Sequence, residues 1–141
     1  MKIRFLLIPA IVLSTLGAGL SSKIQDTQVS AKCAVLSARG AFQSAKAVFT
    51  GVVTGEEKNG DVKTFTFKVE KYWKGSSAKK QEIFVYQTPR YQSPFKEGET
   101  FLVYAREDNE GRLGVARCSR SRDVRYAEDD LRELGEGKTP K

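Results

Sequence analysis

The chain has 141 residues, a formal net charge of +7, two cysteines and no histidine. Without histidine, Ser-His-Asp and Cys-His nucleophile activation and histidine-containing zinc sites are excluded, and two cysteines do not build a structural zinc centre by themselves. The basic balance permits an acidic partner without requiring one.

The N-terminus carries Lys2 and Arg4, then an uncharged run from Phe5 to Leu20, and turns polar from Ser21. That is the order of a secretory signal peptide. The apolar run is about 16 residues long and is interrupted by Pro9, Gly17 and Gly19. A membrane span wants roughly 20 apolar residues, so a signal peptide over 1–31 is predicted and no stable membrane anchor. Cleavage falls between 19 and 31. Val29-Ser30-Ala31 puts small residues before Lys32-Cys33, and Gly17-Ala18-Gly19 offers an earlier site. Roughly 110 residues then remain, one domain's worth, over 32–135 with a tail over 136–141. The mature protein is expected to be secreted or periplasmic. In such an oxidising compartment Cys33 and Cys118 most simply form one disulfide. It closes a loop of about 85 residues, which the chain-entropy model values at roughly 4.5 kcal/mol.

Residues 33–45 are mildly helical, with Val35, Leu36, Phe42 and Ala45 able to share a face. Residues 47–54 are β-branched and apolar, so they read as a strand with Gly51 as a bulge or bend. Asn59-Gly60 signals a hairpin turn. In the next strand Phe65, Phe67 and Val69 alternate with Thr64, Thr66, Lys68 and Glu70, and it runs on to Tyr72-Trp73 before Lys74-Gly75. A strand over 82–87 ends at Thr88-Pro89, and a Pro-flanked loop over 90–98 carries Tyr91 and Phe95. A strand over 99–106, a turn at Asp108-Asn109-Glu110-Gly111 and a fifth strand over 113–118 follow. A short helix begins at Asp123 or Tyr126 and covers 127–134, where Gly135 stops it. Five short strands with a helix near each end make this a mainly β protein. Its predicted fold is a five-stranded, antiparallel Greek-key barrel of the oligomer-binding (OB-fold) kind with short flanking helices. A β-sandwich wants about seven strands.

Several of these landmarks share one family resemblance. A cysteine near the mature N-terminus, a helix and then Ala47-Val48-Phe49-Thr50-Gly51-Val52-Val53 resemble the opening of the netrin-like modules of tissue inhibitors of metalloproteinases. Tyr72-Trp73-Lys74-Gly75, the run 98–105 and Cys118-Ser119-Arg120-Ser121-Arg122 before a short helix are similar to the small bacterial secreted members of that superfamily. The resemblance spans about 33–135. It implies an OB-type barrel disulfide-tied to its N-terminal segment, and a protein partner, a metalloprotease in the family's case. In the animal inhibitors a Cys-x-Cys terminus chelates the protease zinc through the first cysteine's α-amine and carbonyl. Cys33-Ala34-Val35 has no second cysteine, and Lys32 stands before Cys33.

The chemistry-bearing residues point to binding rather than catalysis. The acidic residues sit at turns and on the last helix, which read as solvated places where carboxylates keep ordinary pKa values. No catalytic residue, metal ligand or cofactor is expected. The candidate contacts are Lys32, Cys33 and Ala34 at the N-terminal segment, Tyr91 and Phe95 in the Pro-flanked loop, and Arg120 and Arg122. Packing is the simpler role for the two aromatics and for Trp73, which reads as a core or barrel-mouth plug. Arg112, Arg117, Arg120, Arg122 and Arg125 form a basic stretch closed by Tyr126, able to meet an anionic extracellular polymer. Their simpler reading is pairing with Asp123, Asp129, Asp130 and Glu133 on a solvated face. Export makes nucleic acid an unfavoured partner.

Overall fold

A computed structural model describes residues 33, 34 and 36–141. The predicted signal peptide and Lys32 lie outside the described residues. The elements in order are helix α1 (Ala38–Ser44), strands β1 (Ala47–Asn59), β2 (Val62–Lys74), β3 (Lys80–Tyr86), β4 (Thr100–Glu107), β5 (Leu113–Gly114) and β6 (Arg122–Asp123), a 3₁₀ turn (Val124–Tyr126) and helix α2 (Glu128–Leu134). The sheet runs β1-β2-β3-β5-β4-β6, and β1 also pairs with β4, so the first five strands ring round. The fold is mainly β and barrel-like, as expected. One seam departs from the antiparallel prediction: β3 and β5 meet in parallel, at Phe84 and Gly114.

The period-2 alternation of β2 sends Phe65, Phe67 and Val69 inward, where they are buried with Phe49, Ile83, Val85, Phe101 and Val103. β1 serves two neighbours at once. Its first half pairs with β4, and its whole length pairs with β2. Register shifts at Val48/Phe49, Thr50/Gly51 and Val53/Gly55 bend it enough to do so. Gly51 is required there, because a Cβ would stand 2.8 Å from the Lys68 carbonyl oxygen.

The outward residues of β4, Leu102 and Tyr104, join Val48, Ala41, Ala45 and Ala127 in a second apolar layer beneath the two helices. Each helix has seven residues, too short to persist alone, so this layer holds them. Ser37 caps α1 by accepting from the Gly40 N–H at 3.1 Å. The helix therefore starts after Leu36. Leu36 does not share the buried face predicted for it and stands 41% exposed.

Three further expectations are corrected. The fifth strand stops at Gly114, not 118, because the backbone turns through Ala116–Ser119 (Ser119 N–H to Ala116 carbonyl, 2.9 Å) to reach the disulfide. A short sixth strand was not foreseen; it pairs with β4 at Phe101/Asp123 and Leu102/Arg122. Residues 136–141 do not trail free. Lys138 exchanges backbone hydrogen bonds with Tyr72 (2.9 and 2.8 Å), and Lys141 donates to Ser77 at 2.9 Å. The pairing of β2 with β3 ends at Lys68, which leaves Tyr72 free backbone groups for this segment to satisfy.

Candidate functional site

The only two cysteines are joined: Cys33 and Cys118 form a disulfide with Cα atoms 5.2 Å apart. It fastens the N-terminal segment to the loop that follows β5, a bond characteristic of oxidising compartments. A second tie lies beside it. Arg120 donates from Nη1 to the Leu36 carbonyl at 2.7 Å and grips Asp130 of α2 with Nε and Nη2, each at 2.6 Å. Tyr104 of β4 donates its hydroxyl to the same carboxylate at 3.0 Å. One planar guanidinium thus holds the N-terminal segment and α2 together, over β4.

Asp130 is 1% exposed, so it does not occupy the solvated face expected for it. Burial pushes its carboxyl up, but the hydrogen bonds from Arg120 and Tyr104 and the nearby guanidinium charge outweigh this and hold it below the ordinary carboxylate range. Burial and the hydrogen bond to Asp130 hold the Tyr104 phenol well above its ordinary value, hence neutral. The alternation in Cys118-Ser119-Arg120-Ser121-Arg122 has a local reason. Between β5 and β6 the edge of β4 has no strand beside it. Ser121 accepts there from the Tyr104 N–H at 2.8 Å, and Ser119 donates to the Tyr104 carbonyl at 3.3 Å. The intervening Arg120 then points away, toward Asp130.

Two hollows flank the pinned segment. The larger, about 310 Å³, lies between α1 and the loop after β5, lined by Leu36, Ala41, Ala45, Tyr104, Arg106 and Ala116 among others. The smaller, about 160 Å³, is lined by Cys33, Ala34, Leu36, Arg117, Cys118 and Arg122 with Ser119 and Arg120. No aspartate or glutamate lines either one. Among the described residues Arg106, Arg117 and Arg122 form no ion pair with a carboxylate. Arg106 donates to the Ser44 hydroxyl at 3.3 Å, and Arg122 to the Arg120 carbonyl at 3.2 Å.

The predicted contact residues divide into two groups. Cys33, Ala34, Arg120 and Arg122 come together around the smaller hollow. Tyr91 and Phe95 do not join them. Phe95 is 4% exposed and stacks edge-on against Phe65, Phe67 and Phe101 at 5.3, 5.1 and 5.0 Å between ring centres. Half-buried Tyr91 packs against the same core, and burial raises its phenol pKa. Trp73 packs in the helix-covered layer and donates its indole N–H to the Gly135 carbonyl at 3.0 Å, a packing role.

The basic stretch is not a continuous charged ridge. Arg112 is bound by Asp108 at 2.8 Å and Arg125 by Asp123 at 2.7 Å. The hydrogen bonds from Arg125 hold the Asp123 carboxyl below its ordinary range. Leu36, Ser44 and Arg106 are site residues that sequence reasoning missed. Arg106 was accessible in principle, since it continues the outward series Leu102, Tyr104 of the 99–106 strand.

Among the described residues no group of three His, Cys, Asp or Glu side chains is placed to hold a metal ion. No helix there is long and apolar enough to cross a membrane. No protein-family model matches this sequence, and no curated protein matches it. The arrangement offers guanidinium donors around small, largely apolar hollows.

Proposed function

We propose that this protein is a secreted, non-catalytic binding module of the netrin-like kind, which meets a protein partner through its N-terminal segment and the disulfide loop beside it. The observation that carries this reading is the double fastening of the N-terminal segment, at Cys33 and at Leu36. The disulfide and the Arg120 bond to the Leu36 carbonyl fix a segment that carries an exposed leucine between two acid-free hollows. Pre-ordering a contact segment lowers the entropy lost on binding, which favours affinity. An exposed apolar side chain ringed by arginines is also the composition of a protein contact rather than of a solvated surface. The resemblance to tissue inhibitors of metalloproteinases supports the same face, since their contact also begins at the N-terminal cysteine.

Zinc chelation in the manner of those inhibitors needs a free α-amine on Cys33, and a mature protein beginning at Lys32 has none. N-terminal sequencing of the exported protein decides this point. The alternative reading, an anionic-polymer-binding envelope protein using 112–125, is less supported because Asp108, Asp130 and Asp123 already neutralise Arg112, Arg120 and Arg125.

The test is affinity capture with the oxidised protein and its Leu36→Asp variant, the captured protein being assayed for metalloprotease activity. Saturable capture by the wild type and its loss in the variant is the expected result. Equal capture by both would sink this choice of surface.

A further inference from the structure

We propose that the larger hollow receives an acidic peptide segment of the partner, with an apolar side chain seated on its alanines and a neighbouring Asp or Glu carboxylate held by Arg106. This rests on the binding-module reading above and adds the chemistry of what is bound. The floor is built from small side chains, Ala41 of α1 and Ala45 at its C-cap, and Ala116 forms part of the rim. On this side α1 and its C-cap present alanines, while the larger Phe42 lines a separate hollow with Trp73 and Leu134, so space remains beside Tyr104. Gly114 continues that wall. Any side chain there would collide with the Phe84 ring, whose nearest atom would stand 2.6 Å from a Cβ.

Since Arg120 is paired with Asp130, the uncompensated charge at this hollow is that of Arg106. Its one hydrogen-bond partner among the described residues is the neutral Ser44 hydroxyl, which leaves most of its five N–H donors unused. Its neighbour Glu107 is engaged by Lys46 at 3.6 Å. Arg117 and Arg122, lining the adjoining hollow without carboxylate partners, extend the same field past the disulfide. A cationic surface with no lining acid steers and selects acidic partners. A free C-terminal carboxylate is the less suitable occupant. Such ends are held by clusters of backbone N–H groups, whereas the polar donor at this rim is a side chain.

The experiment uses the oxidised, purified protein, isotope-labelled for amide NMR. The probes are acetyl-Gly-Glu-Leu-Glu-Gly-amide, its counterpart with lysines for the glutamates, and its counterpart with serine for the leucine. The acidic leucine peptide is expected to move the amides of Ala34, Ala45, Arg106 and Ala116, less so as salt is added, and the lysine and serine peptides are not. Arg106→Gln is expected to weaken binding about fivefold, equivalent to the ~1 kcal/mol that an exposed ion pair contributes at most. Ala116→Phe fills the hollow from an exposed position and is expected to block it.

Equal responses to the acidic and lysine peptides, shifts centred elsewhere, no response at millimolar peptide, or unaltered affinity in both variants would each overturn the proposal. Partner capture that survives Arg106→Gln and Ala116→Phe but is lost in Leu36→Asp defeats this inference and leaves the module reading standing. Peptide binding at the hollow without any captured partner does the reverse.

Discussion

Replacing Asp130 by asparagine tests the junction that holds the N-terminal segment to the helices. The carboxylate accepts two hydrogen bonds from Arg120 at 2.6 Å each and one from Tyr104 at 3.0 Å. An asparagine keeps one acceptor but turns N–H donors toward a guanidinium that is itself all donor. It also leaves that charge, whose side chain is only 19% exposed, without a counter-ion. Removing one partner of a buried pair costs about 3–5 kcal/mol. Arg120 retains the Leu36 carbonyl and some solvent, so the expected loss at pH 7 is about 3 kcal/mol. The pH dependence follows from the lowered Asp130 pKa. The wild type holds its full advantage above the unfolded value of about 3.9 and loses it as pH falls through the lower folded value. The variant has nothing to titrate at this position, so the gap between the two proteins narrows below about pH 4. Urea unfolding followed by fluorescence of Trp73, the single tryptophan, which is bonded to the end of α2, reads both quantities. A gap under about 0.5 kcal/mol at pH 7, the usual scatter of surface changes, or one that stays constant down to pH 3, would refute the reasoning.

Three other outcomes are expected. Serine at both Cys33 and Cys118 releases an 85-residue span and lowers unfolding free energy by up to about 4.5 kcal/mol. The β signature in circular dichroism is retained, while amide exchange in residues 33–37 accelerates; unchanged exchange there would count against the double fastening. Phe95→Ala empties a site bounded by Phe65, Phe67 and Phe101 and costs about 3–5 kcal/mol in a urea titration, where an exposed loop aromatic would cost almost nothing. Gly51→Ala drives a methyl to within 2.8 Å of the Lys68 carbonyl and is expected to cost about 1–3 kcal/mol. A neutral result would mean that the β1–β2 bulge adjusts freely.

The sequence by itself determined the four longer strands, the C-terminal helix and the one covalent closure. Period-2 alternation at Phe65, Phe67 and Val69 specifies which face of β2 is buried, because successive side chains in a strand point to opposite sides. The Asn59-Gly60 turn, the Gly135 helix stop and a lone cysteine pair are equally local or exhaustive signals. Only the tertiary structure decided which of several chemically equal groups meet. Arg120 had Asp123, Asp129, Asp130 and Glu133 within reach along the sequence, and α2 turns Asp130 alone inward. Phe95 sits in a loop whose Pro-rich flanks look solvent-bound, yet the barrel interior needed an aromatic to fill it. The docking of 136–141 was likewise settled by which backbone groups of β2 remained unpaired, and the end of β5 by the turn that carries the chain to Cys118. The candidate site depends on these long-range choices. Cys33, Ala34, Arg120 and Arg122 were legible in the sequence as residues with something to offer. Leu36 and Arg106 acquired their place only when α1 began after Ser37 and presented alanines on this side, leaving the hollow between them.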